Sequence, residues 1–206
     1  MRPKASPYHH GDLKRALLEA AVRHVSEKGA ESLTLRDLAR TVGVSHGAPY
    51  RHFADKSALL QAVAEGGFIE LLRAMREEGA AEAETDPVVR FETAFRAYVR
   101  FSLENPAQLT LMFGPEAAAE ACGPRVSEAA KATFEYVLGM IEQGQRQGAF
   151  KAGDPLLQAA AAWSLVHGIS VLLSHGHLRA DGLELRSREE LVREVSRALL
   201  VGLRSQ

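Results

Sequence analysis

Apolar residues recur every three or four positions along most of the chain, and no stretch alternates at a spacing of two. That is the pattern of amphipathic helices rather than strands. Leu13, Leu17, Ala21 and Val25, with Leu18 and Val22 alongside, predict a first helix from about Gly11 to Lys28. Leu35, Leu38, Ala39 and Val42 predict a short second one. Leu59, Leu60, Val63, Phe68, Leu71, Leu72 and Met75 predict a long helix reaching about Glu78. Val88, Phe91, Phe95 and Tyr98 follow, then a short apolar helix from Ala107 to Phe113. Phe134, Val137, Leu138 and Ile141 lie on a helix from about Arg125 to Gln147. The last two helices run from Asp154 to about His175 and from Ser187 to Leu203. The expected fold class is all-α, with about nine helices and no internal repeat.

The ends of these helices carry their own chemistry. Thr34 is placed to cap the second helix, with Asp37 completing a capping box and Leu33 and Leu38 forming a hydrophobic staple. Gly43 stands where a helix stops in the left-handed conformation. Ser45 is placed to cap a further helix over His46 to Phe53. Pro49, at about its fourth residue, removes one backbone donor. Asp55, the pairs Asp86-Pro87 and Asp154-Pro155, and the Ser187–Glu190 box open later helices. Gly66-Gly67 interrupts the long helix, either as a place to bend or as a place where another helix approaches.

Helix, glycine turn and polar helix over Thr34 to Lys56 are the parts of a helix-turn-helix, whose second helix enters the DNA major groove. Gly43-Val44-Ser45, Gly47, Tyr50-Arg51-His52-Phe53, Lys56 and Leu59-Leu60 resemble the DNA-binding segment of TetR-family transcriptional regulators. The resemblance covers about the first third of the chain. It implies a three-helix head over residues 1–55 and a helical effector-binding and dimerisation domain over 56–206. It also implies that the last two long helices pair with a second subunit as a four-helix bundle.

Charge adds to this reading. Residues 1–56 hold ten Lys/Arg against six Asp/Glu, a net +4, and residues 57–206 hold fifteen against twenty, a net −5. A basic end on an acidic body fits a nucleic-acid reader attached to something else. Cys122 is the single cysteine, which fits a reducing, cytoplasmic setting. The first residues lack the apolar core of a signal peptide. Leu156 to Leu173 carries no charge and approaches spanning length, but Gln158, Ser164, His167, Gly168 and Ser170 interrupt it, and a helix buried on several sides accounts for it better than a membrane span.

Two candidate sites follow. The DNA-binding candidates are Thr34, Arg36, Ser45, His46, Gly47, Ala48, Tyr50, His52 and Lys56. Base readout needs donors and acceptors at groove edges, and phosphate anchoring needs hydroxyls, N–H groups and cations. The resemblance assigns Tyr50, His52 and Lys56 to the DNA backbone, and Arg36 and Ser45 to Ala48 to the bases. Phe53 is expected in the core. The effector candidates are Phe68, Phe91, Phe95, Tyr98, Met112, Phe113, Phe134, Trp163 and His167. An aromatic stripe at helical spacing also suits plain core. The resemblance, including a Trp163…His167-Gly168 signature of a subgroup, favours a mostly apolar cavity with Tyr98, Trp163 and His167 as its polar groups.

His175-Gly176-His177 with His167 lacks nearby cysteine or carboxylate, so solvated loop histidines are expected and no metal. No nucleophile motif, phosphate-binding glycine loop or HExxH is present, and no cofactor is expected. The reading is a homodimeric, ligand-responsive repressor of a double-stranded palindromic operator, released by a small apolar or aromatic effector, with no membrane partner. The rival is a helical small-molecule-binding enzyme or metal-binding protein without specific DNA binding.

Overall fold

The computed structural model describes residues 10–82, 86–114, 123–176, 178 and 187–204. These form eight α-helices and one 3-10 turn: α1 His10–Lys28, α2 Leu35–Val42, the turn Pro49–Arg51, α3 Lys56–Glu82, α4 Pro87–Glu104, α5 Pro106–Phe113, α6 Pro124–Arg146, α7 Pro155–Ser174 and α8 Arg188–Leu203. The β pairing among the described residues is an isolated bridge between Phe150 and Arg204. Cys122 and His177 lie outside the described residues.

The chain divides into two compact units, residues 1–66 with 107–126 and residues 67–106 with 127–206. In the first, α1 packs against α2 and α2 against the 3-10 turn. Leu17, Ala21, Leu33, Leu38, Phe53, Leu59, Leu60 and Leu111 are buried in its common core. Both members of the Leu33–Leu38 staple are 1% exposed. Each such large apolar side chain contributes roughly 1.5–3 kcal/mol on burial.

The expected caps are in place except that of Ser45: the turn at Pro49–Arg51 has Ala48 at its N-cap, without a side-chain bond. Thr34 accepts the Asp37 N–H, Asp86 accepts that of Val88, Asp154 those of Leu156 and Leu157, and Ser187 that of Glu190. Asp55 Oδ1 accepts the Ala58 N–H at 2.8 Å. Gly43 takes φ 78°, and its N–H turns back to the carbonyls of Ala39 and Arg40.

Two expectations need correction. The helix expected over His46 to Phe53 is instead a 3-10 turn at Pro49–Arg51. In an α-helix the Ser45 carbonyl would receive its bond from residue 49. Proline has no N–H, so that carbonyl takes the Ala48 N–H at 3.0 Å, and the tighter spacing propagates. Nor does Gly66-Gly67 interrupt α3, which runs unbroken to Glu82. No atom of a neighbouring element lies within 4 Å of a Cβ built on Gly66, so close helix approach does not account for that glycine.

In the second unit α4 packs against α7 and α8, and α7 against α8. Hydroxyls of α6 reach α3: that of Thr133, which donates to the Ala129 carbonyl at 2.8 Å, lies 3.4 Å from the Phe68 carbonyl, and Tyr136 donates to that of Met75 at 3.4 Å. At the end of α6 the chain folds back so that Phe150 is 1% exposed and lies on Gly144. A Cβ on Gly144 would stand 2.1 Å from the Phe150 ring. Gly144→Ala is therefore expected to destabilise by about 1–3 kcal/mol despite alanine's better helix propensity. A urea midpoint equal to wild type would contradict this packing.

Among the described residues α7 alone is long and apolar enough to cross a membrane, and 33% of its apolar window is buried within the chain. Leu156, Leu157, Leu165 and Leu172 are 39–68% exposed. The single chain therefore covers less of this helix than the expectation of burial on several sides requires.

Candidate nucleic-acid interface and apolar effector site

The segment from Thr34 to Lys56 presents a continuous set of exposed polar groups. The Thr34 hydroxyl accepts the Asp37 N–H at 3.1 Å and donates to Asp37 Oδ2 at 2.6 Å. Arg40 donates to Asp37 Oδ1 at 2.5 Å. The bond from Thr34, with the Arg40 charge, holds the Asp37 carboxyl below its usual pKa. Arg36 is exposed on the same helix. The left-handed turn at Gly43 leads into Ser45, His46 and Gly47, all exposed, while Ala48 is half-buried and Pro49 buried. Tyr50 is 51% exposed and Arg51 stands exposed beside it. Arg51 was not among the candidates; its neighbour Tyr50 was the available signal. His52 is half-buried against the core ring of Phe53, with centroids 6.5 Å apart.

Lys56 has a structural partner as well. Its Nζ donates to the Glu31 carbonyl at 2.7 Å, tying the first turn of α3 to the loop after α1. An ammonium has three N–H donors, so two remain for a phosphate.

The second unit gathers Phe68, Phe91, Phe95, Tyr98, Phe134, Trp163 and His167. Met112 and Phe113 stand on α5 in the first unit, Met112 buried and Phe113 38% exposed. Tyr98 meets Trp163 edge-on at 5.5 Å, and Phe134 meets Trp163 at 5.9 Å. Between them is a cavity of about 20 Å³ lined by Met75, Phe91, Phe95, Tyr98, Met140 and Trp163, among others. That is room for about one water. The stripe is a nearly filled core in this state, and an occupant must displace side chains. Met75 and Met140 are both flexible enough to do so.

The polar element of this core is one pair. The Tyr98 hydroxyl lies 3.0 Å from His167 Nδ1. Tyr98 is fully buried, and burial pushes its phenol pKa well up; burial also lowers that of His167. Both groups are therefore neutral near pH 7, and they share one hydrogen bond whose donor is set by the imidazole tautomer. The unfolded histidine titrates near 6.5. Below that pH the unfolded chain binds the proton first, so stability is present above 6.5 and is lost as pH falls toward the lower folded pKa. His167→Gln retains an acceptor for Tyr98 and is expected to remove this part of the acid-side loss. Parallel urea titrations of both proteins from pH 7.5 to 5 measure it; identical slopes would show that His167 is not buried neutral.

His175 turns its Nδ1 onto its own helix, 3.0 Å from the Val171 carbonyl. Among the described residues no group of three or more His, Cys, Asp or Glu side chains comes together to hold a metal.

Residues 17–63 match the profile described as bacterial regulatory proteins of the tetR family, and residues 91–199 match the tetracyclin repressor-like C-terminal domain. The chain is 32% identical over 114 residues to the nucleoid occlusion factor SlmA of Aliivibrio fischeri, spanning 55% of this chain and 56% of that one. It is 37% identical over 73 residues to the transcriptional repressor AcnR of Corynebacterium diphtheriae, covering 35% and 38% of the two chains. The matches thus span about half or less of these relatives. A solved structure of a protein of unknown function from Rhodococcus sp. RHA1 superposes with a TM-score of 0.84 at 36% identity, covering 98% of this chain and all of that one. The head profile and the larger C-terminal profile together place the chain in the TetR family of DNA-binding regulators, which are not enzymes.

Proposed function

We propose that the chain is a dimeric, ligand-responsive transcriptional repressor acting in the cytoplasm. Its head, residues 1–55, binds one half of a palindromic operator, and residues 56–206 dimerise and hold a small, mostly apolar effector that releases the DNA. The observation that carries the reading is the Thr34-capped α2 followed by the Gly43 turn and the exposed residues Ser45, His46, Gly47 and Tyr50. This arrangement offers base-edge groups at Arg36, Ser45, His46, Gly47 and Ala48, and backbone groups at Thr34, Tyr50, His52 and Lys56. The repressor sense is supported by the AcnR relative, whose name describes a transcriptional repressor. The Trp163…His167-Gly168 run fits the subgroup signature, with Trp163 beside the cavity and His167 bonded to Tyr98.

A palindromic duplex selected from a random library tests this. Fluorescence anisotropy is expected to give one dimer per duplex and a steep salt dependence. Tyr50→Ala and Lys56→Ala are expected to weaken binding by about ten- to a hundredfold, the range for a lost charge-assisted bond, on all sequences alike. His46→Ala is expected to change sequence preference instead. If Tyr50→Ala and Lys56→Ala both kept wild-type affinity and salt slope, the head assignment would be wrong.

A further inference from the structure

Two guanidinium groups of the second unit converge on one phenol ring. Arg76 on α3 lies 5.5 Å and Arg90 on α4 lies 5.6 Å from the centroid of Tyr136 on α6. The other described arginines of these two helices each meet a carboxylate: Arg73 pairs with Glu77, Arg96 with Glu92, and Arg100 with Glu78 and Glu104. Arg76 and Arg90 pair with none among the described residues. Arg90 donates one N–H to Gln143 Oε1 at 2.9 Å, and a guanidinium has five. Two like charges thus share a ring with no counter-ion among the described residues, and their attraction to the ring only partly offsets their repulsion.

Their position connects them to the cavity. Met75, Phe91 and Val137, the neighbours of Arg76, Arg90 and Tyr136 in sequence, all line it. Successive helical residues point about 100° apart, so the charged groups and the ring stand at the edge of the buried face. Exposure agrees: Arg76 is exposed and Arg90 and Tyr136 half-buried, whereas the three neighbours are at most 5% exposed. Met140, one turn beyond Tyr136, also lines the cavity. Two guanidinium groups thus stand next in sequence to residues that line an apolar cavity. We propose that Arg76 and Arg90 form an anion seat beside this cavity, and that the effector is an amphipathic anion whose carboxylate or phosphate head sits between them while its apolar tail enters the core. This rests on the effector reading given above. The planar guanidinium fork suits either head, and Met75 and Met140 can repack to admit a tail. A neutral effector would leave the two charges uncompensated.

The single tryptophan, Trp163, lines the cavity and reports its occupation. Full-length protein is titrated with decanoate, decyl phosphate and decanol while Trp163 fluorescence is followed. At least one of the two anions is expected to bind about tenfold or more tightly than decanol, and the tighter of them identifies the head. That preference is expected to shrink several-fold between about 50 and about 500 mM salt, a test that needs no variant. In R76Q/R90Q, shown to be folded by its thermal transition, the anion-to-alcohol ratio is expected to fall to about one. Decanol binding as tightly as both anions, or a salt-insensitive ratio that survives R76Q/R90Q, overturns the anion seat and leaves the cavity standing. Should none of the three probes change Trp163 fluorescence, the cavity reading falls and the seat with it.

Discussion

Leu172→Glu and Ala161→Glu are each expected to convert the protein from a dimer into monomer or aggregate at micromolar concentration. Leu157, Ala161, Leu165, Gly168 and Leu172 recur at spacings of three and four on α7, and Leu157, Leu165 and Leu172 are 68%, 39% and 41% exposed. On α8, Val201 is 76% exposed. A helix without a charged residue from Leu156 to Leu173, with only a third of its apolar window buried, needs a partner in water. A second copy of the same two helices would supply one, and the small side chains at Ala161, Ser164 and Gly168 permit close helix approach. A glutamate in such a contact appears twice, once from each subunit, and neither carboxylate has a cation opposite. Removing an unpaired charge from water costs several kcal/mol, and about 4 kcal/mol weakens association roughly a thousandfold. Sedimentation velocity on both variants checks this. Wild-type protein sedimenting as a monomer, or variants sedimenting as wild type, would place the interface elsewhere.

What could be read from the sequence follows the range of the interactions. Thr34, Asp86, Asp154 and Ser187 cap helices through bonds to residues two or three positions on, so one short stretch contains both partners. Gly43 is likewise local, since only the backbone conformation at that residue is at issue. At His46–Phe53 the missing Pro49 donor is visible in the sequence, but the switch to 3-10 spacing that follows at the Ser45 carbonyl is not. Long-range features were less accessible. The Lys56 bond to the Glu31 carbonyl joins positions 25 apart, and the Tyr98–His167 bond joins positions 69 apart. Phe113 fits the aromatic spacing as well as Phe91 does, yet it belongs to the other unit, because spacing identifies a face and not the element that face meets. The Arg76–Tyr136–Arg90 stack, drawn from three helices, has no local signature at all.

An occupant of the cavity is expected to lower operator affinity about 5- to 150-fold, a coupling of about 1–3 kcal/mol. α3 is the helix common to both units, with Lys56 at its first turn and Phe68 and Met75 further along. Met75 lines the cavity, its carbonyl accepts the α6 hydroxyl of Tyr136, and the Thr133 hydroxyl lies 3.4 Å from the Phe68 carbonyl. Since the cavity holds about one water, any larger occupant must move its walls, and α3 is one of them. Lys56 stands at the other end, so the DNA and effector states are expected to differ in where α3 sits. Gly66 lies between these points, and an added Cβ meets nothing within 4 Å. Gly66→Ala is thus expected to stabilise α3 by up to about 1 kcal/mol and to change the coupling while touching neither site. Reciprocity makes the scheme testable from both sides: operator DNA must weaken effector binding by the same factor by which effector weakens operator binding. The measurement is a pair of titrations with a compound shown by Trp163 fluorescence to occupy the cavity, one with and one without operator. Equal effector affinity in both would show that α3 does not link the two sites.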